Sequence, residues 1–298
     1  MQRLPDLEEN YYFSELLPEL RCENGRKGVK AMIDMDGFKN YLYEEELSPN
    51  TAYSYTLSLK KFYEKYDDIT KANLIQFKQD MIQKGFKPRT INIRITGVLA
   101  YCKYKDIPMK IKHIKEPQKT HIENVITAEQ VETLLARLLA DGREQWRVNV
   151  LLLAKTGMRI SEALRVTKKD ILAGSVTMPT KAHLRTIYFP KSLVDDIQEF
   201  LGDLSDDDRI MRSVAGKPMT SRGVAEGLKR YGRMYGIPKE VMHPHSFRHF
   251  FAIEFLKRKN DIALLADILG HGDVKMTQIY LRQSQETQKD AVDKAVDW

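Results

Sequence analysis

Residues 106–124, DIPMKIKHIKEPQKTHIEN, form a segment with two prolines, several lysines and no helical periodicity. Proline removes a backbone donor and restricts the chain, so such a basic segment is typical of an extended linker. Patterns of amphipathic helices lie on both sides of it. The chain of 298 residues is long enough for two units with separate hydrophobic cores. We therefore predict two folding units joined by a basic linker at 107–124.

The part before the linker has the pattern of a small all-helical domain. Its four helices are expected at roughly 29–46, after Ser48-Pro49-Asn50-Thr51, and at roughly 70–84 and 88–105. An aromatic stripe recurs at helical spacing on the second of them: Tyr55, Leu59, Phe62, Tyr63 and Tyr66. A stripe of this kind predicts a face buried in the core of the domain.

The part after the linker predicts a second, mainly helical unit with little β-structure. It opens with Thr127-Ala128-Glu129-Gln130, the pattern of a capping box, and a largely apolar helix follows at Val148–Ala154. Residues 175–189 are the one good candidate for strands, as a short hairpin turning near Ala182-His183. After Lys191, helices are expected at about 192–202, 220–235, 246–258, 261–269, 274–283 and 287–297. The fold class is therefore mainly α with a small β-hairpin.

Charge and cysteine content narrow the environment and the partners. The net charge is +7, and residues 58–119 hold 15 Lys and Arg against 6 Asp and Glu. Such a basic block attracts phosphate backbones. Cys22 and Cys102 lack metal-type spacing, so we expect free thiols in a reduced, cytoplasmic setting. No apolar run approaches the ~20 residues that span a bilayer, so no membrane association is expected.

Four segments place chemically capable polar residues within apolar helical surroundings. They are Thr156–Glu162 (TGMRISE), Lys181 near the hairpin turn, His243–His249 (HPHSFRH), and Leu269–His271 (LGH) followed nine residues later by Tyr280. Each of them alone is compatible with an ordinary structural role. Their order and spacing together are much more specific.

These segments resemble the signature of the tyrosine recombinase family, which includes phage integrases and the Xer resolvases. TGMRISEAL resembles the segment that carries the family's first catalytic arginine. HSFRH fits its H-x-x-R motif, and LGHGDVKMTQIY fits its L-G-H-x8-Y ending. The resemblance covers the chain from about residue 29 onward.

The resemblance implies a nucleophile and two arginines that hold a phosphate. Tyr280 is expected to attack the scissile phosphate and form a 3′-phosphotyrosyl bond without a cofactor. Arg159 and Arg248 are expected to bind the non-bridging oxygens, because forked guanidinium groups match phosphate geometry. Their charge would stabilise the transition state in place of a metal ion, and no metal is expected.

The remaining expected roles concern proton transfer and orientation. Lys181 is expected to protonate the leaving 5′-oxygen, with Arg185 as its main nearby competitor, since KAHLRTIYFP departs from the family's glycine-rich G-K-G-x-K pattern. His245 is expected to assist proton transfer at the tyrosine hydroxyl, and His271 to donate to the phosphate. Glu162, one helical turn after Arg159, is expected to orient that arginine or its neighbours. His249 is interpreted as a structural residue pointing elsewhere, and His243 and His183 are also left outside the site.

The resemblance also implies an architecture and an assembly. Residues 1–27 would be an N-terminal extension, 28–106 a core-binding (SAM-like) DNA-binding domain, and 125–298 the catalytic domain with a C-terminal tail helix. The two domains would form a C-shaped clamp on double-stranded DNA. The tail, with apolar Ala291, Val292, Ala295, Val296 and Trp298, would pack in cis or, as we favour, dock into a neighbouring protomer of a tetramer.

The expected function is therefore site-specific DNA recombination, in integration or excision of a mobile element or in resolution of DNA. Two alternatives use the same scaffold: an enzyme similar to type IB topoisomerases and a DNA-binding regulator without catalysis. The target sequence is not readable from the chain, because it depends on groove contacts and DNA shape.

Overall fold

The chain folds into two compact units that divide between Pro117 and Gln118, within the predicted linker. The structure, a computed structural model, describes residues 33–116, 122, 124–179, 184–213, 215–270, 277, 279, 280, 293 and 296. The predicted N-terminal extension lies outside these described residues, as does most of the predicted C-terminal tail.

The first unit consists, over its described residues, of helices and the segments that join them. The helices are α1 (Met35–Glu44), α2 (Pro49–Tyr63), α3 (Lys71–Gln83) and α4 (Pro88–Tyr104). Asp34, Ser48 and Thr70 cap the first three, each by accepting a backbone N–H in the first turn, which satisfies a donor that has no partner within the helix. The four predicted helices are thus confirmed, the first of them over residues 35–44.

The predicted aromatic stripe forms part of the core of this unit. Leu59 and Phe62 are fully buried, and Phe62 meets Phe77 edge to face with ring centroids 5.3 Å apart. Tyr66 is half-buried, and its hydroxyl donates to Asp80 Oδ2 at 2.6 Å. The stripe is therefore confirmed as a core face whose polar tips reach the edge of the unit.

The first half of the predicted linker is bound to the first unit. Residues 107–116 form neither helix nor strand, but Met109, Ile111 and Ile114 pack against the core of the first unit. The Asn92 side chain fixes this segment from α4, because its Nδ2 donates to Ile114 O at 2.9 Å and its Oδ1 accepts from Ile114 N at 2.8 Å. In an extended chain, residues two apart face the same side, so Met109 and Ile111 can both reach the core.

The second unit contains helices around one small sheet. Before the sheet come α5 (Ala128–Ala140), α6 (Glu144–Thr156), α7 (Ile160–Ala163) and α8 (Lys168–Leu172). The sheet is β1 (Ser175–Pro179) and β2 (Leu184–Tyr188), and the helices after it are α9 (Lys191–Gly202), α10 (Ser221–Met234), α11 (Pro244–Arg258) and α12 (Ile262–Leu269). Thr127 and Gln130 form the predicted capping box at the start of α5.

The predicted hairpin is present as an antiparallel pair of strands. Its register runs from Ser175 opposite Tyr188 to Pro179 opposite Leu184. Ile187 and Met178 are buried on the face toward the core. The predicted turn residues Ala182 and His183 lie outside the described residues. The mainly α fold with a small two-stranded sheet is therefore confirmed.

Helix α6 is the central element of the second unit. Residues 148–154 are buried on every side, and a helix that is apolar all round must be enclosed by other elements. It packs against α5, α9 and α11. Gly157 ends the helix in the left-handed conformation, with φ 59°, and a Cβ there would lie 2.3 Å from the ring of Phe251. Only glycine fits this turn, which directs the chain toward Arg159.

After α12 the structure describes only isolated positions. Gly270 ends α12 with φ 62°, Thr277 is buried, and Tyr280 is half-buried against the cluster formed by α11 and α12. Most residues of the predicted helices at 274–283 and 287–297 lie outside the described residues. Among the described helices, none has the length and apolarity required to span a membrane.

Candidate active site

Arg159 and Glu162 are held together at the start of α7. The Glu162 carboxylate accepts from the backbone N of Arg159 at 2.6 Å and from its Nη1 at 3.0 Å. Burial of Glu162 would raise the pKa of its carboxyl, but the hydrogen bonds from Arg159 and the charge of Arg185 outweigh this effect and lower the pKa. Glu162 is therefore ionised and limits how far the Arg159 side chain can turn.

Arg248 on α11 is fixed by backbone carbonyls. Its Nη1 donates to Gly157 O at 2.8 Å and its Nη2 donates to Leu269 O at 2.6 Å, and the residue is only 2% exposed. Burial, together with the charges of Arg159 and Arg185, lowers the pKa of Arg248 to about 10, so the guanidinium keeps its charge at neutral pH. The two carbonyls leave its orientation little freedom.

Arg185 on β2 is a buried member of the site. Its Nη1 donates to Glu162 Oε2, and its Nε donates to Ile268 O at 2.9 Å. The side chain is 1% exposed, and its Nη2 has no hydrogen-bond partner among the described residues. Burial lowers the pKa of Arg185 against the opposing effect of Glu162. Such burial does not favour the alternative in which Arg185 replaces Lys181 as the general acid.

All three arginines donate hydrogen bonds to backbone carbonyls at the C-terminal turn of α12. The carbonyl oxygens of three consecutive residues accept one bond each: Ile268 from Arg185, Leu269 from Arg248 and Gly270 from Arg159, the last at 3.2 Å. The C-terminus of a helix carries partial negative charge, so cations there are stabilised. This turn is also the one that leads into His271.

Tyr280 interacts with Arg248 and Arg159 and contacts His249 of α11, which in turn contacts His245. Its hydroxyl is 2.9 Å from His249 Nδ1, and the ring of His245 lies 4.5 Å from that of His249. Burial raises the pKa of Tyr280, while the charges of Arg248 and Arg159 oppose the rise. Partial burial and the charges of Arg248 and Arg159 keep the pKa of His245 below its usual value.

The interpretation of His249 as a residue that points away from the site is wrong. His249 does follow Arg248 directly, but it also lies four residues after His245, and residues at i and i+4 share one face of a helix. The i+4 spacing within HSFRH was the signal that could have revealed it. His243, by contrast, caps α11 by accepting Ser246 N–H at 3.0 Å, which agrees with its exclusion from the site.

The structure thus brings together five of the residues singled out from the sequence: Arg159, Glu162, His245, Arg248 and Tyr280. Lys181 and His271 lie outside the described residues, although the strand ends Pro179 and Leu184 and the residue Gly270 are placed. Within the described part of the chain no group of three or more His, Cys, Asp or Glu side chains is arranged to hold a metal ion.

The site is strongly electropositive. Glu162 pairs with Arg159 and Arg185, while Arg248 donates to backbone carbonyls, so three guanidinium groups are opposed by one carboxylate and positive charge remains for a bound anion. Since Arg159 and Arg248 lie on different elements and both interact with Tyr280, an anion held between them would lie near the tyrosine hydroxyl. Forked guanidinium groups suit the oxygens of a phosphate.

Residues 124–287 match the phage integrase family. The chain belongs to this family. A tyrosine recombinase from Pyrococcus furiosus, XerA, is 31% identical over 271 residues, which cover 88% of this chain and 93% of the relative. The prediction of a site-specific recombinase that is an enzyme of the tyrosine recombinase class is thereby confirmed, and the two alternative functions are not favoured.

Solved structures with lower identity agree in fold. The integrase of the transposon Tn1549 in complex with transposon right end DNA is 17% identical, with a TM-score of 0.66 and coverage of 87% of this chain and 98% of that chain. A lambda integrase dimer bound to a COC′ core site is 18% identical, with a TM-score of 0.67 and coverage of 84% and 76%. At these identities the likeness establishes the integrase fold and no finer property.

Proposed function

We propose that this phage integrase family member cleaves and rejoins double-stranded DNA through Tyr280. The phenolic oxygen attacks the scissile phosphate, a bond between phosphorus and the tyrosine oxygen forms, and the bond to the 5′-oxygen breaks. The single observation that carries the proposal is the position of the Tyr280 hydroxyl beside His249, within the electrostatic influence of Arg159 and Arg248. The product is a 3′-phosphotyrosyl intermediate with a free 5′-hydroxyl.

Arg159 and Arg248 are proposed to bind the non-bridging oxygens of that phosphate. Both guanidinium groups are fixed before DNA arrives, Arg159 by Glu162 and Gly270 O, and Arg248 by two carbonyls. Donors that are already oriented stabilise charge in the transition state without reorganising. Glu162 acts on the phosphate only through Arg159 and is proposed as a positioning residue.

Lys181, His245 and His271 complete the proposal from the family motifs. Lys181 would protonate the leaving 5′-oxygen, His271 would donate a hydrogen bond to the phosphate, and His245 would assist proton transfer in the site. The contact of the His245 ring with the ring of His249 supports its assignment to this site. The assignments of Lys181 and His271 rest on their place in the sequence motifs.

The DNA partner and the assembly are also proposals. Support for DNA comes from the basic residues 58–119 and from the relatives whose structures contain DNA. A tetramer on paired sites, coupled by the C-terminal tail docking in trans, follows from the family resemblance. Integration or excision of a mobile element and resolution of DNA remain the two candidate roles, and a cytoplasmic location remains a prediction.

Covalent capture tests the proposal and reveals the target sequence in the same experiment. The protein is incubated with fragmented genomic DNA of its source organism and denatured, and the DNA that stays attached to protein is sequenced at its ends. A recurrent end sequence is then built into a duplex with a nick close to the cleavage position. The short released strand diffuses away, so the covalent complex accumulates on this nicked duplex.

Two tyrosine variants make the result specific. Tyr280→Phe should form no covalent complex, whereas Tyr235→Phe, which loses only a hydroxyl bonded to Asp141, should form it at the parental rate. The complex should also form in excess EDTA. A covalent complex in the Tyr280→Phe protein would overturn the assignment of the nucleophile, and failure of the parent to capture any DNA would overturn the proposed function.

A further inference from the structure

The hydroxyl that is proposed to attack DNA already has a hydrogen-bond partner on α11. His249 Nδ1 lies 2.9 Å from Tyr280 Oη, with the two ring centroids 5.5 Å apart. This is the distance at which a proton passes directly between two groups. In the tautomer protonated at Nε2, Nδ1 accepts the phenolic proton.

Helix α11 accounts for why this histidine reaches the tyrosine. His245 and His249 lie one turn apart on the same face, and their rings meet edge to face at 4.5 Å. Arg248, on the adjacent face, is fixed by carbonyls of Gly157 and Leu269. Because Arg248 is anchored in this way, it helps to hold α11 in place, and the position of His249 on α11 is held with it.

The packing around Tyr280 indicates that the contact between its hydroxyl and His249 is a defined one and not a chance contact. The tyrosine ring packs against a cluster of Ala252, Leu256, Leu265 and Leu269, from both α11 and α12. His249 lies on α11 itself, one turn before this cluster begins. A ring held on its apolar side presents its hydroxyl in a constant direction, which is what repeated proton transfer requires.

We propose that His249 is a catalytic residue that takes the proton of Tyr280 during cleavage and returns it during rejoining. The inference rests on the proposed role of Tyr280. In cleavage, the Tyr280 oxygen forms its bond to phosphorus as its proton moves to His249 Nδ1, and the 5′-oxygen leaves with a proton from the general acid. In rejoining, the 5′-hydroxyl attacks phosphorus and returns its proton to the general acid. The bond between phosphorus and the Tyr280 oxygen breaks, and this oxygen recovers the proton from His249.

The same geometry assigns His245 a different place. It contacts the ring of His249, and its charge interactions, besides that with His243, include Arg248 and Arg159, the arginines proposed to bind the phosphate. His249 is thus the histidine that contacts the proposed nucleophile, and His245 lies next to it, near the two arginines. The family motif H-x-x-R contains His245 and Arg248 but not this following histidine.

The experiment measures single-turnover formation of the covalent complex on the nicked duplex recovered by capture. His249→Ala removes the proton acceptor and should slow cleavage about 100-fold, the typical contribution of a general base. His249→Asn retains an oxygen acceptor near the position of Nδ1 but cannot take up the proton, so it should be slow as well. His243→Asn, which keeps a side chain suited to the N-cap of α11, is the matched control and should cleave at the parental rate.

Small-molecule rescue separates proton transfer from packing. Imidazole should restore His249→Ala at least tenfold, whereas pyrazole, of the same size but much less basic, should not. Rejoining of a preformed complex with an added 5′-hydroxyl strand should show the same defect and the same rescue. Cleavage by His249→Ala within threefold of the parent, or equal rescue by both azoles, would overturn the inference.

The outcomes keep the two proposals apart. A parent protein that forms no covalent complex contradicts the proposed function itself. A parent that forms the complex, together with a His249→Asn protein that cleaves equally fast, contradicts only the role of His249. Should His249→Ala fail to fold, His249→Asn decides the question alone, because thermal unfolding can establish that it is folded before its rate is measured.

Discussion

Arg185 and Glu162 form an ion pair inside the second unit, with side chains only 1% and 9% exposed. The pair connects β2, which follows the segment containing Lys181, with α7, which begins beside Arg159. The Arg185 Nε also bonds to Ile268 O, so the same guanidinium reaches the turn before His271. One buried side chain thus joins three segments that carry residues of the proposed site.

Removing Arg185 should destabilise the protein strongly. Arg185→Met leaves Glu162 buried with Arg159 as its remaining partner, and breaking a buried pair typically costs about 3 kcal/mol or more. The double variant Arg185→Met/Glu162→Met should lose less than the sum of the single variants, because both charges of the buried pair are then removed. Arg159 loses its carboxylate partner in this variant, but its side chain is 39% exposed. Urea unfolding measures these changes. Arg222→Met breaks an exposed pair on α10 and should leave the midpoint unchanged; an equally mild effect at Arg185 would refute the prediction.

Gly270→Ala should be more damaging than its backbone conformation alone explains. Gly270 and Gly236 have φ values of 62° and 72°, so alanine is strained at both, by about 1–2 kcal/mol. A Cβ at Gly236 meets nothing within 4 Å, whereas one at Gly270 would lie 2.5 Å from Arg185 Cδ. Thermal unfolding should show a larger loss of stability for Gly270→Ala than for Gly236→Ala. Cleavage of the nicked duplex by Gly270→Ala should slow at least tenfold. Equal losses at the two positions would contradict the proposed contact.

Arg248→Lys should leave a folded protein that cleaves slowly. A lysine keeps the positive charge but cannot reproduce the fork that donates to Gly157 O and Leu269 O, so the position of the charge and the direction of its donors change. Loss of an oriented donor typically lowers the rate on the order of 100-fold. Arg258→Lys, on the exposed end of the same helix, is the control and should cleave normally. A normal rate for Arg248→Lys would remove this arginine from the proposed site.

Ser246→Ala should destabilise the second unit. The Ser246 hydroxyl is fully buried and accepts the N–H of Ile126 at 2.8 Å. Alanine would leave this N–H buried without an acceptor, at a cost of about 1–3 kcal/mol. Ser221→Ala, at an exposed position at the start of α10, serves as the comparison in thermal unfolding. A similarly small decrease in unfolding temperature for both variants would contradict the bond between Ser246 and Ile126.

Stability should fall in acid partly because of Glu162. Burial would raise the pKa of this carboxyl, but Arg159 and Arg185 lower it overall below the ordinary 4.5. A depressed carboxyl pKa contributes stability that is complete above the ordinary value and is lost as the pH falls through the lowered one. Urea midpoints at pH 7, 5, 4 and 3 should therefore decline more for the parent than for Glu162→Gln. Parallel declines would show that Glu162 is not the group responsible.

The local sequence was sufficient for much of the fold. Proline and capping residues set the starts of helices such as α2 and α5, and the aromatic stripe of α2 was buried as its spacing predicted. The packing of residues 107–116 was harder to predict from the sequence. Their lack of periodicity indicated a linker, but the bonds of Asn92 to Ile114 hold them on α4. A contact between residues 22 positions apart leaves no periodic signal.

The sequence by itself determined the chemical class, because residue types in a fixed order name the groups available for phosphoryl transfer. It singled out Tyr280, Arg159 and Arg248 as candidate site residues from motifs within single segments. Only the tertiary structure decided that His249 meets the tyrosine hydroxyl and that Arg185 is buried against Glu162. The physical reason is that side-chain direction and desolvation depend on elements distant in sequence. A motif specifies which groups are present, and packing specifies which of them touch.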